Sequence, residues 1–191
     1  MKLSTLSLHN TYQRARLHLK FSVIARLSKG IVSLCIGVFI IGIFAGHLID
    51  FESNFYFVRY VLSQITIDPW FRGTHDLVWL TISSPTTHFI FYCVMILGEM
   101  IAGLFCTSGA YLILKNASSA KKDFYLGKSL FLLGGMIAII VLYFSFCVIG
   151  SEWFTIWTST EWNSQMTIYA FSTSILLAMG YILIPDPEEK A

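Results

Sequence analysis

Charge is scarce in this chain. Asp, Glu, Lys and Arg make up 13% of its 191 residues, whereas 55% are hydrophobic, a balance that a water-bathed domain cannot carry without a large exposed apolar surface. Disordered and fibrous chains are excluded by the same numbers. Proline is equally sparse, and two of the four, Pro185 and Pro187, close the last apolar run. The four cysteines, Cys35, Cys93, Cys106 and Cys147, all lie inside apolar runs, which argues against a secreted disulfide scaffold. Motifs that announce chemistry are also lacking. There is no Cys-x-x-Cys, His-x-x-x-His or Glu-x-x-His spacing for a metal, and no Gly-x-Ser-x-Gly for a nucleophile.

Long apolar runs are what the sequence does have. A hydrocarbon core of ~30 Å needs about 20 helical residues, and four stretches suffice: about Ile31 to Ile49, Phe89 to Leu114, Ser129 to Gly150, and Met166 to Ile184. Lipid supplies no hydrogen bonds, so each run is expected to be a helix despite its β-branched residues. Ser84 before Pro85 reads as an N-cap with proline in the first turn. Thr158 and Glu161 have capping-box spacing before the fourth run. A leader of 30 residues precedes the first run, which is too long to be the core of a cleaved signal peptide. The reading is an all-α integral membrane protein, a four-transmembrane-helix bundle spanning 31–184, with a basic leader at 1–30 and a short tail at 185–191.

Lys and Arg are divided unequally between the two sides. Eleven fall in the leader, the second connection and the tail, against two, Arg59 and Arg72, in the first and third connections. The positive-inside rule then places both termini in the cytoplasm. The basic leader is expected to meet anionic lipid headgroups rather than nucleic acid.

The first outer connection, about Asp50 to Ser84, carries its own pattern. Val58, Val61, Leu62 and Ile65 recur at helical spacing, with Asn54, Arg59 and Ser63 on other faces, which predicts a short amphipathic helix at the outer interface. Asp68 before Pro69 suggests a second. All five tryptophans (Trp70, Trp79, Trp153, Trp157, Trp162) fall in the two outer connections or at their edges. Interfacial anchoring explains them, and so does an aromatic surface presented to a partner or a lipid.

Several of these residues together carry a resemblance. Asn54 with Phe57-Val58-Arg59-Tyr60-Val61-Leu62-Ser63, Glu99, Gly109-Ala110, Lys128, and the run from Glu152-Trp153-Phe154 to Trp162-Asn163-x-Gln165 resemble a bacterial family of predicted small integral membrane proteins catalogued as a domain of unknown function. The resemblance covers roughly residues 30–185. It implies a four-span inner-membrane protein and brings no activity, cofactor or partner. Where the family pattern leads one to expect Met-Asp after Val-Leu-Ser, this sequence has Gln64-Ile65, so no role resting on that acid carries over.

Glu99 is the only acid deep in a span, and burying it in hydrocarbon costs on the order of a few kcal/mol, so it must face the bundle and find a partner. Matching depths along antiparallel helices offers Tyr143 and Ser174. A structural role would be a hydrogen bond that sets helix register; a functional one would be proton exchange or cation binding. His47 and His88, near the outer ends of the first two spans, are the only candidates for a haem or metal. Gly42 and Gly46 form a Gly-x-x-x-Gly pair whose natural use is packing within the bundle, with a homo-oligomer as the alternative.

The leading functional expectation is non-enzymatic: an accessory or assembly component that binds membrane lipids or a membrane-protein partner through an outer face built from Asn54, Arg59, Glu152, Trp153, Trp157, Trp162, Asn163 and Gln165. The alternative is a small transporter or channel-like protein using Glu99. A third reading, a haem- or quinone-associated anchor, would use His47 and His88; otherwise no cofactor is expected. A reporter that works only in the cytoplasm, fused to the C-terminus, is expected to be active; activity solely of a reporter that needs the outer side would overturn the orientation.

Overall fold

The computed structural model describes residues 21–64, 80–118 and 121–186. Trp70, Trp79, His75, Arg72 and the Asp68-Pro69 start signal lie outside them. Among the described residues five α-helices follow one another: α1 (Phe21–Ile49), α2 (Phe51–Leu62), α3 (Pro85–Lys115), α4 (Lys121–Ile139) and α5 (Gln165–Leu183). No strand occurs among the described residues. Four helical stretches, Phe21–Ile49, Pro85–Lys115, Lys122–Trp153 and Gln165–Leu183, are long and apolar enough to cross a membrane. The third of these runs through α4 and a π-helical segment, Ile140–Trp153.

The spans are longer than the apolar runs alone predict. Residues 21–30, read above as leader, belong to α1, and Arg26 and Lys29 are buried there. Snorkelling explains this, because long aliphatic stems extend a helix past its apolar stretch while the charged heads find partners at the end of the bundle. Other boundaries follow local chemistry. The Ser84 hydroxyl accepts the Thr87 N–H at 3.3 Å, with Pro85 opening α3. The capping box expected at Thr158 and Glu161 does not form. Thr158 sits in a one-turn 3₁₀ helix, Ile156–Thr158, and donates its hydroxyl to the Thr155 carbonyl. α5 starts at Gln165 instead, whose N–H is accepted by Asn163 Oδ1 at 3.1 Å.

The main core gathers Ile40, Cys106, Phe124, Phe131 and Ile175 from all four spans. Its closest backbone approach lies between α3 and α4. A Cβ placed on Gly109 would stand 2.6 Å from the Gly127 carbonyl oxygen, and one on Gly134 would stand 2.7 Å from that of Ala102. Small residues let these two backbones touch, which is how dispersion contacts replace the missing hydrophobic drive in lipid. Gly42 and Gly46 do something else. A Cβ on either meets nothing within 4 Å, so the Gly-x-x-x-Gly pair faces outward and does not pack within the bundle as expected.

A charged clamp ties the ends of three spans. Lys29 of α1 and Lys128 of α4 reach opposite oxygens of Asp186, just beyond α5, at 2.7 and 2.9 Å. Lys29 also donates to the Ile184 carbonyl. Arg26 stacks over the Phe124 ring, 4.8 Å from its centroid, and points Nη1 at the Ala117 carbonyl at 3.5 Å. The start of α1, the end of α3, the start of α4 and the end of α5 therefore share one end of the bundle. Burial alone would raise the Asp186 pKa, but the hydrogen bonds and charges of Lys29 and Lys128 outweigh it and hold the carboxyl below its ordinary value. A depressed carboxylate stabilises the fold above the unfolded value of about 3.9 and loses that contribution as pH falls through its folded value. Asp186→Asn is expected to cost about 3 kcal/mol, because it strands two buried ammonium groups, and to flatten the acid limb of thermal stability below about pH 4; a melting curve in detergent across pH checks both.

Candidate functional site

The opposite end of the bundle holds the polar residues of interest. Glu99 is 1% exposed, and its Oε2 lies 2.7 Å from His47 Nδ1. This pairing joins α1 to α3 and replaces the expected one. Tyr143 packs its ring at a tilt against Tyr169, with centroids 6.0 Å apart, and Ser174 donates to the Ala170 carbonyl of its own helix; neither bonds Glu99. Depth matching went astray because it took the helix ends as level, whereas α1 ends well short of the start of α3. Glu99 lies fourteen residues from Pro85 and sixteen from Lys115, about 21 and 24 Å of helix, so it stands near the middle of α3, and α1 closes two residues past His47, beside that middle.

Tyr92, on the same helix and fully buried, completes the arrangement by donating its hydroxyl to the His47 carbonyl at 2.9 Å. That carbonyl belongs to the last turn of α1, where no later N–H of the helix is available, so the Tyr92 phenol caps the end of α1. Phe51 and Phe55 of α2 pack on the Tyr92 ring at 4.9 and 5.7 Å. Sequence reasoning missed Tyr92 and the aromatic collar. The signal was present, since His88, Tyr92, Met95 and Glu99 recur at helical spacing and all are buried in α3.

His47 and His88 are not brought to one site. His88 is 1% exposed and gives Nε2–H to the Ile82 carbonyl at 2.6 Å, securing the segment that leads into α3. Each imidazole is thus turned to a different protein acceptor. Among the described residues, no group of three or more His, Cys, Asp and Glu residues could hold a metal ion.

The cap at this end of the bundle is built from α2, Ile82 and the segment after the π turn. Val61 and Leu62 pack against Phe154 and Ile156, flanked by Phe57, Val58 and Ile149. The amphipathic helix expected here is α2. Of the residues expected to present themselves outward, Arg59, Glu152, Trp153, Trp157 and Asn163 are exposed. Asn163 nonetheless spends its amide within the cap, donating to the Trp157 carbonyl. The others are spent there too. Asn54 donates to the Asp50 carbonyl and Gln165 to the Tyr169 hydroxyl, while Trp162 packs its ring on Tyr60 and Phe57 at 5.3 and 6.0 Å. At the bend, Thr155 adopts a left-handed φ of 51°, an uncommon conformation for a β-branched residue and a sign that the surrounding packing dictates the turn.

Two cavities lie under this cap. The larger, about 560 Å³, runs between α2, α3 and the π segment, with Val61, Val94, Ile140, Phe144, Ile149 and Trp153 on its walls; apart from Ser145 and Gly150 its lining is apolar or aromatic. The smaller, about 210 Å³, is lined by His47, Asn54 and Ser164 together with Phe57, Phe146 and Phe171.

With this geometry the comparison with known families is unambiguous. Residues 25–185 match the family described as predicted small integral membrane protein (DUF2165). The protein belongs to this family. No curated protein and no solved structure matches it. Two features of the family resemblance noted above now have physical roles in this member, since Glu99 joins α1 to α3 and Lys128 joins α4 to the end of α5.

If the Glu99–His47 contact holds α1 on α3, removing one partner strands the other in a dry site, at a cost of about 3 kcal/mol. His47→Leu and Glu99→Leu are each expected to lower thermal stability in detergent by that order, and the double replacement to cost clearly less than their sum. Additive losses would show that the two side chains do not support each other.

Proposed function

We propose that this member of the family is a non-enzymatic component of the bacterial inner membrane, with both ends in the cytoplasm, that holds the hydrocarbon tail of a lipid beneath its outer aromatic cap. The observation that carries this reading is the 560 Å³ cavity. Its walls offer almost nothing for a polar ligand to bond, so only a hydrocarbon tail matches them. Phe91, Val94, Ile140 and Phe144, which line it, are also among the exposed apolar side chains of the spans. The cavity therefore opens sideways toward the acyl region and not to water. Trp153, 53% exposed at its rim, suits the headgroup level, where an indole buries its ring and keeps its N–H wet. The division of Lys and Arg supports the orientation, since the clamp end carries Arg26, Lys29, Lys115 and Lys128, whereas Arg59 is the only such residue at the cap end among those described.

Native mass spectrometry of the protein released from membranes in mild detergent is expected to show a retained lipid, whose mass reads whether the tail is acyl or isoprenoid. Ser145→Trp, which adds bulk to the cavity wall, should lower that occupancy by roughly tenfold, equivalent to ~1.4 kcal/mol of lost apolar contact, without lowering the melting temperature. A lipid-free wild type, or a variant that keeps its lipid, would overturn the reading; a co-purifying membrane protein in place of the lipid would favour a protein partner at the cap.

A further inference from the structure

The smaller cavity differs in kind from the lipid groove. It is roughly seven water volumes in size, at ~30 Å³ each, and its polar lining is confined to His47, Asn54 and Ser164. His47 is the link between this space and the buried acid behind it. Its Nδ1 is held by Glu99 Oε2, which leaves Nε2 as the free ring nitrogen, and the side chain keeps 18% of its surface exposed. Glu99 Oε1 is buried with no hydrogen-bond partner, so the carboxylate is only half satisfied. The charged and titratable groups around the pair do not supply the missing counter-charge. Tyr92 caps the helix at His47, and Asp50 and Cys93 are the other groups within electrostatic reach of that Tyr92. None of these is a cation.

We propose that the 210 Å³ cavity binds one small protonated amine, which donates N–H to His47 Nε2 and takes the place of a proton on the His47–Glu99 pair. The charge balance requires this exchange. With both ring nitrogens protonated, imidazolium and carboxylate are neutral together; with the Nε2 proton gone the pair carries one negative charge, which is costly away from water without a cation. An alkylammonium restores neutrality. The proton on His47 Nε2 leaves to solvent, Nδ1–H stays on Glu99, and Nε2 becomes an acceptor for the incoming N–H. Phe57, Phe146 and Phe171 on the cavity wall favour a cation further, because the faces of aromatic rings carry negative potential. The volume limits the ligand to a few non-hydrogen atoms beyond the nitrogen, and the apolar walls favour a short alkyl group on it. His47, Asn54, Ser164 and Phe171 line this cavity and not the lipid groove, so the two proposals are tested on different residues although Phe57, Val58, Met95 and Phe146 border both spaces.

The test is calorimetric titration of the detergent-solubilised full-length protein with n-butylammonium in two buffers of different ionisation enthalpy. One proton released per amine bound is expected. His47→Gln and Glu99→Gln should each weaken binding by at least about tenfold, the worth of one charge-assisted hydrogen bond. Should either variant fail to fold, Phe171→Leu, expected to weaken binding about threefold through the lost ring, carries the test together with the wild-type proton count. Absence of binding, binding without proton release, or full binding by Glu99→Gln would overturn the proposal. So would equal affinity for tetramethylammonium, which has no N–H to donate.

Discussion

Hydrocarbon cannot hydrogen-bond, and nearly every feature of this molecule answers that fact. Backbone groups are satisfied within helices, which is why β-branched runs such as Gly135 to Ile149 are helical throughout. Side chains obey the same constraint at the few places where polarity enters the bundle. Glu99 takes His47, Lys29 and Lys128 divide Asp186, and Ser151 returns its hydroxyl to the Phe146 carbonyl. Helices attract one another through close backbone approach and not through escape from water, and the Gly109–Gly127 contact between α3 and α4 is the tightest instance.

The two ends of the bundle solve the problem of termination differently. At the clamp end, charge does the work, with three cations and one acid drawn together beneath the last turns of the spans. At the cap end, aromatic and apolar residues do it, and the connections fold back as α2 and the Trp-rich segment to roof the interior. This contrast fits a membrane whose two surfaces differ in charge. It also explains why the two cavities described lie at the same end. Rings and a π-helical stretch pack with more irregular gaps than a glycine-lined helix pair does, and π turns are concentrated where a helix wall has been reshaped.

Much of this was legible in the residues. The four spans and α2 follow from hydropathy and helical spacing, and the Ser84–Pro85 start follows from capping chemistry. Span ends were less legible, because Arg26 and Lys29 read as loop until a partner such as Asp186 is known, and that partner lies 157 residues from Lys29 in sequence. The same distance problem hid the partner of Glu99. Depth along a helix can be matched from sequence only if the helix ends are level, and α1 closes two residues past His47, beside the middle of α3, so equal counts from the ends pointed to Tyr143 and not to His47. For the Trp-rich signature, a surface role was expected of Asn163 and Gln165 because they are polar. Asn163 instead bonds backbone on both sides of a tight turn, and Gln165 reaches the Tyr169 hydroxyl, uses that depend on local geometry which spacing does not reveal.

Phe57, Val58, Met95 and Phe146 line both cavities under the cap. A ligand that pushes this common partition one way necessarily reshapes the space on its other side, so the two compartments are energetically linked and the linkage is mutual: whatever factor occupancy of one imposes on the affinity of its neighbour is returned in equal measure.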